Sequence, residues 1–170
     1  LFCEILTGMK KCASIGKIPA SMGIDTWAVD YVLLDKNDNR IGDAFAYRDG
    51  RTSGMDEKVY ETIPEERLYA KTGIQKQIFN TIYQLMAVKE QTPEVLRKAK
   101  SMLMIPDYFH FLLTGKKVQE YTNATTTQLV DPVTKDWDME LIEALGYPKQ
   151  IFEKIALPGT EAGTLTEAIQ

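Results

Sequence analysis

Three short stretches of this 170-residue chain gather planar polar side chains beside aromatic rings. The first is Asp25-Thr26-Trp27, the second Tyr47-Arg48-Asp49-Gly50-Arg51-Thr52, and the third Phe79-Asn80-Thr81 with Gln84 one helical turn on. Carboxylates, amides and guanidinium groups fix the orientation of hydroxyls, and an aromatic face covers the C–H side of a sugar ring. Each stretch also has a plain structural reading. Asp25-Thr26-Trp27 can be a strand-end turn with Trp27 packed in the core. Arg48 and Asp49 can be a surface pair of little energetic weight. Asn80 can simply cap a helix.

Other chemistries are excluded by what is missing. His110 is the single histidine, so a multi-histidine zinc site cannot form, and neither HExxH nor CxxC occurs. Its neighbours Phe109, Phe111 and Leu112 put it at the edge of the core. No GxGxxG or GxxxxGK[ST] phosphate loop is present. The net charge is −4 with no basic patch, which argues against a nucleic-acid or anionic-membrane partner. The longest apolar stretch, Met102 to Leu113, is broken by Pro106, Asp107 and His110 and falls short of a bilayer span. Cys3 and Cys12 read as reduced thiols of a cytoplasmic protein rather than a disulfide scaffold. With 44% hydrophobic and 26% charged residues, the composition is that of a folded globular domain.

These stretches need elements to hold them. Phe2, Ile5, Leu6, Met9 and Cys12 recur at helical spacing up to Gly16. Met22 to Ile24 and Ala28 to Leu34 read as strands, with a buried first strand ending at Asp25. Asp35 to Asn39 reads as a turn, and Ile41 to Tyr47 as the returning arm of a β-hairpin. Helices follow: one from a Thr52 or Ser53 cap to about Thr62, one opened by Pro64 and closed near Gly73, one over Asn80 to Lys89, and one started by Thr92-Pro93-Glu94. Met102 to Ile105 is a buried strand or a helix entry, and Pro106 to Leu113 is helical. The Thr- and Asn-rich run Tyr121 to Thr127 is expected to begin irregularly. Asp138 to Leu145 and Pro148 to about Ile155 read as short helices, and Gly163 to Gln170 as a strand or linker. The order is α/β or α+β.

At these stretches the chain resembles the FGGY carbohydrate kinases. The matching blocks are Gly23 to Asp35, Tyr47 to Thr52, Thr72-Gly73-Ile74-Gln75, Phe79 to Leu85, Met104 to Phe109 and Glu120 to Leu129, in order and spanning about Leu1 to Gly163. The resemblance implies an α/β, partial ribonuclease-H-like domain of the actin-like ATPase superfamily, with a β-hairpin and a helical insertion. Residues 1–170 would be part of the N-terminal, sugar-binding domain. The first strands with their phosphate loop would precede Leu1, and the ATP domain with its general-base aspartate would follow Gln170. The implied reaction transfers the γ-phosphoryl group of ATP, with Mg²⁺, to the 1-hydroxyl of a small-molecule ketose. L-rhamnulose is the expected substrate, and L-fuculose, L-xylulose or a non-catalytic sugar-binding role are the alternatives.

The resemblance also assigns residues. Trp27, Ala28, Tyr47, Arg48, Asp49 and Asn80 are expected to bind the substrate, with Tyr47 on the apolar face of the sugar and Asn80 at the pocket edge. No catalytic base and no metal ligand is expected within the chain. Similar family members carry glycine where Ala28 stands, and Phe-Leu-Pro where this chain has Lys76-Gln77-Ile78. Both departures touch the sugar side. Thr125-Thr126-Thr127 lacks the arginine that related kinases have there, and reads as structural. The 170-residue chain alone is expected to be inactive, and to self-associate through the exposed edge of its first strand.

Overall fold

The computed structural model describes residues 1–170. Helix α1 (Phe2–Ser14) ends in a Schellman arrangement: Gly16 takes a φ of 71°, and Lys17 N donates to Cys12 O at 2.9 Å. None of its residues is fully buried. Residues 18–27 that follow hold no strand. The expected buried strand at Met22 to Asp25 is therefore absent, and with it the edge on which the expected self-association rested.

Strand β1 (Tyr31–Leu34) pairs antiparallel with β2 (Ser101–Met104), Tyr31 facing Met104 and Leu34 facing Ser101. Both strands are buried throughout, and their side chains alternate between two cores. Tyr31, Leu33, Met102 and Met104 enter the larger core, which the helices fill. Val32, Leu34 and Leu103 enter a smaller one with Ile105 and Phe109, against which Phe2 and Ile5 of α1 pack. Phe2 stacks on Phe109 with ring centres 6.4 Å apart.

The expected hairpin is corrected. The turn forms as read: Asp35 Oδ1 accepts from Asn37 N at 2.8 Å and Asn39 N at 2.9 Å. These backbone donors, Asn39 foremost, hold the Asp35 carboxyl below the usual carboxylate range. The return arm, however, makes one bridge, Leu34 to Arg40, and one bond, Ile41 N to Leu33 O at 2.8 Å. It then leaves as coil. Strand β2 takes the opposite edge of β1, where Leu34 O accepts from Lys100 N at 2.7 Å and Asp30 O from Ile105 N at 3.1 Å, while the arm reaches only the Leu33 edge.

Between the two strands lie α2 (Met55–Tyr60), α3 (Glu65–Thr72), α4 (Thr81–Gln91) and α5 (Pro93–Lys98). Neither Thr52 nor Ser53 caps α2. Asp49 caps a short 3₁₀ turn over Gly50–Thr52, and Gly54, with a φ of 75°, starts the helix. Helix α4 is buried at every position from Thr81 to Val88, so it runs through the core rather than along it. Helix α6 (Ile105–Thr114) begins where β2 stops and ends at Gly115.

The rest of the chain closes the larger core. Strand β3 (Gln119–Glu120) pairs in parallel with β6 (Ile155–Ala156), and β4 (Val130–Asp131) pairs antiparallel with β5 (Asp136–Trp137). Helix α7 (Tyr121–Thr125) is regular from its first residue, because Glu120 accepts from both Thr122 N and Asn123 N at 2.9 Å. Helix α8 (Met139–Ala144) is followed by a single 3₁₀ turn at Lys149–Ile151, where a longer helix was expected. Residues 163–170 form no strand; Thr166 N donates to Leu113 O at 2.9 Å. No helix is long and apolar enough to cross a membrane.

Asp138 joins the helical insertion to the C-terminal elements. Its side chain caps α8 through Leu141 N at 3.0 Å and meets Lys71 Nζ of α3 at 3.1 Å. Replacing it with alanine removes both, a loss of about 1–2 kcal/mol of unfolding free energy. Asp138→Asn keeps the cap and should cost about half of that. Urea-unfolding midpoints of the two variants check this, and equal losses would assign the whole effect to the ion pair.

Candidate functional site

Immediately before β1 the chain reverses within one residue. Val29 has a φ of 65°, and Asp30 N donates to Ala28 O at 2.9 Å, which is the strained form of the γ-turn. A β-branched residue in this region costs roughly 1–2 kcal/mol. The conformation is held from α4. Thr81 Oγ1 donates to Val29 O at 2.8 Å, and Gln84 Nε2 donates to the same oxygen at 3.1 Å.

The same residues bring the three polar stretches together. Gln84 Nε2 also lies 3.0 Å from Phe79 O and 3.4 Å from Asp30 Oδ1. Gln84 Oε1 accepts from Arg51 Nη2 at 2.8 Å. Asp30 Oδ2 accepts from Trp27 Nε1 at 2.7 Å. Trp27 is thereby held with 41% of its surface exposed, beside a nearly buried aspartate. The reading of Trp27 as a core residue does not hold.

Trp27 and Ala28 line a cavity of about 220 Å³. Its walls are the loop Ile24–Ala28, the start of α6 with Pro106, Asp107 and His110, and Glu120, Thr122, Asn123 and Thr126 around α7. Asp107 is 1% exposed. Its Oδ1 accepts from Glu120 N at 3.2 Å, while Oδ2 has no partner. Burial, reinforced by the nearby Glu120 charge and opposed by the Glu120 N–H bond, pushes its carboxyl up to about 7. Burial also lowers the His110 imidazole. The Asn123 amide nitrogen is likewise buried without a partner.

The other expected residues lie elsewhere. Tyr47 packs edge-on against Phe79, with ring centres 5.4 Å apart, and its hydroxyl accepts from Arg48 Nε at 2.9 Å. Arg48 is exposed. Asp49 is exposed too, and its Oδ1 is taken by Arg51 N at 2.9 Å. Asn80 precedes α4 without capping it. Its Oδ1 accepts from Gln77 N at 2.7 Å and its Nδ2 donates to Thr126 O at 2.9 Å, so both arms tie loops together. Lys76, one of the departures near Asn80, pairs with Asp56 at 2.5 Å and stands over the Tyr60 ring.

Sequence reasoning missed Asp107, Glu120 and Asn123 as cavity residues. A carboxylate inside the apolar run Met102 to Leu113 was the available signal for Asp107. No group of three or more His, Cys, Asp or Glu side chains is disposed to hold a metal ion. The side chains around the cavity, acidic and without lysine or arginine, do not fit a nucleotide–Mg²⁺ site.

Residues 8–170 match the FGGY family of carbohydrate kinases, N-terminal domain. The rhamnulokinase of Halalkalibacterium halodurans is 62% identical over 165 residues, covering 97% of this chain and 35% of that protein. The rhamnulokinase of Oceanobacillus iheyensis is 56% identical over 170 residues, covering 100% of this chain and 36% of that protein. The chain thus spans about 35% of the length of the curated relatives it matches. Among solved structures, the ligand-bound xylulose kinase from Lactobacillus acidophilus superposes with a TM-score of 0.83 at 23% identity, covering 99% of this chain and 34% of that one. The xylulose kinase from Rhodospirillum rubrum gives 0.83 at 19% identity, covering 98% and 35%. At these identities the likeness concerns the fold alone: a partial α/β domain of the actin-like ATPase type.

The raised Asp107 carboxyl makes stability depend on pH in a definite direction. Between about pH 4 and about pH 7 the unfolded chain ionises this group while the folded chain keeps its proton. Stability from Asp107 is therefore fully present below the unfolded value and lost as pH rises towards the folded one, by up to about 4 kcal/mol. His110 acts oppositely, its neutral form favouring the fold as pH rises. Asp107→Asn keeps an oxygen for Glu120 N–H and has no proton to lose. Its stability relative to the parent should rise across that window in denaturant titrations, and a pH-independent difference would refute the assignment.

Proposed function

Because the chain belongs to the FGGY family of carbohydrate kinases, we propose that it supplies sugar-binding elements to an enzyme that phosphorylates L-rhamnulose at its 1-hydroxyl, using ATP. The carrying observation is the cavity of about 220 Å³ in which the tethered Trp27 ring and Ala28 face Asp107, Glu120 and Asn123. An aromatic face beside carboxylate and amide groups suits a neutral polyol. The substrate assignment is supported by the two rhamnulokinases at 62% and 56% identity.

Phosphoryl transfer asks a protein mainly to align the attacking hydroxyl with the γ-phosphorus and to screen charge. On this reading Trp27 covers the apolar side of the ketose and Ala28 sets how closely backbone approaches it. Tyr47, Arg48 and Asp49 stand off the cavity, and they serve the sugar when the cleft closes over it. Asn80 acts by holding the turn at Gln77 against Thr126. ATP, Mg²⁺ and the general base act from segments other than these residues, and the enzyme works in the cytoplasm.

A coupled ATP-consumption assay of the complete gene product, against L-rhamnulose, L-fuculose, L-xylulose, D-xylulose and glycerol, tests the reading. L-rhamnulose should be preferred. Preference for another ketose would mean that Ala28 has reshaped the pocket, and activity on none would refute the kinase reading. Trp27→Ala should raise the ketose KM roughly tenfold, the worth of an aromatic face, and leave the ATP KM unchanged. The 170-residue chain alone should show no ketose-dependent ATP turnover.

A further inference from the structure

Gln84 is an anomaly in α4. It is 2% exposed, and its neighbours Ile82, Tyr83 and Leu85 are wholly buried. A helix running through a core would ordinarily carry an apolar side chain there. A buried amide is tolerated only when its donor and acceptor are both used, and here they are used on functional stretches. The amide nitrogen reaches Val29 O at 3.1 Å, and the amide oxygen accepts from Arg51 Nη2 at 2.8 Å. Asp30 extends the network from the other side, with Oδ1 facing the Gln84 amide at 3.4 Å and Oδ2 on Trp27 Nε1 at 2.7 Å.

We propose that Gln84 and Asp30, braced by Arg51, are positioning residues for the ketose: they lock Val29 in its left-handed turn and so fix Trp27 and Ala28 at the cavity wall. The proposal rests on the sugar-site reading above. A valine left free to choose would return to the β region. That rotation would carry Ala28 and the Trp27 ring off the cavity. Strain retained by several converging hydrogen bonds beside a ligand wall is the pattern expected of pre-organisation. Gln84 is not among the residues that line the cavity, so its effect passes through the turn.

A merely structural network would lose stability and leave ligand affinity alone, so the test separates the two. The complete gene product is compared with Gln84→Met, Arg51→Met, Asp30→Leu and Asp30→Asn. Ketose KM, ATP KM and kcat are measured, and the Trp27 emission is taken as the difference between each variant and the same variant carrying Trp27→Phe. Gln84→Met and Asp30→Leu should raise the ketose KM roughly tenfold, leave the ATP KM within about twofold, and shift the Trp27 emission. Asp30→Asn, which keeps an oxygen for the indole N–H, should restore most of the loss.

Unchanged ketose KM with unchanged Trp27 emission in a folded Gln84→Met variant overturns the proposal. Should Gln84→Met fail to fold, Arg51→Met decides, because it removes the brace without opening the core. A ketose KM raised at least twofold supports the proposal, and an unchanged KM overturns it. If the parent phosphorylates no ketose, the sugar reading fails, and the Trp27 emission still reports separately whether Gln84 holds the turn.

Discussion

The carbonyl of Val29 is the point on which the site depends. It belongs to a residue in a backbone conformation that valine avoids, and it accepts two side-chain hydrogen bonds from α4. Upstream of it the chain is coil carrying an exposed indole, and downstream it is a strand buried on both faces. A gradual passage between those states would spend several residues inside the protein with backbone groups unpaired. The one-residue reversal avoids this, and the hydrogen bonds from Thr81 and Gln84 offset its strain.

Helix α4 can serve the turn because it is buried on all sides. Its apolar residues contact the larger core in every direction, and its two internal polar residues, Thr81 and Gln84, both point at Val29. The β1–β2 pair makes the complementary contribution. Alternation along the two strands divides the apolar residues between two cores, so the end of β1 is fixed from both faces. The same strand pair delivers Asp107, since α6 starts directly at the end of β2 and its third residue reaches the cavity.

Local chemistry was legible in the sequence, and long-range pairing was not. The Schellman end of α1, the Asx turn at Asp35, Pro93 in the first turn of α5 and the helix over Asn80 to Lys89 each follow from a few neighbouring residues. The ladder partner of β1 lies about seventy residues away, and the nearby arm meets only the other edge of β1, through Arg40 and Ile41. The supposed strand at Met22 to Ile24 has hydrophobic residues but no neighbour to pair with. Trp27 was singled out at the end of a strand that does not form, and Ala28 through the resemblance alone; both line the cavity. Asp107 was hidden because its burial comes from elements distant in sequence, and Gln84, though grouped with the third polar stretch, gave no sign of which backbone it satisfies. The resemblance singled out Asn80 for the substrate, whereas its side chain is engaged with loops at both arms.

The electrostatics of the cavity narrow what it can hold. Asp25, Asp107 and Glu120 line it, and no lysine or arginine does. The first turn of α6 offers its dipole to an anion at Asp107, yet burial outweighs this and keeps the carboxyl largely protonated up to near neutrality. A protonated Asp107 can donate, and the unpartnered Asn123 amide can donate as well. Glu120 uses its carboxylate to cap α7. Such a cavity presents both donors and acceptors to a neutral ligand while its net field repels an anion. On the proposed reading the ketose enters uncharged and leaves carrying a phosphate. The wall that admits the one therefore disfavours the other, and the field that selects the substrate also promotes release of the product.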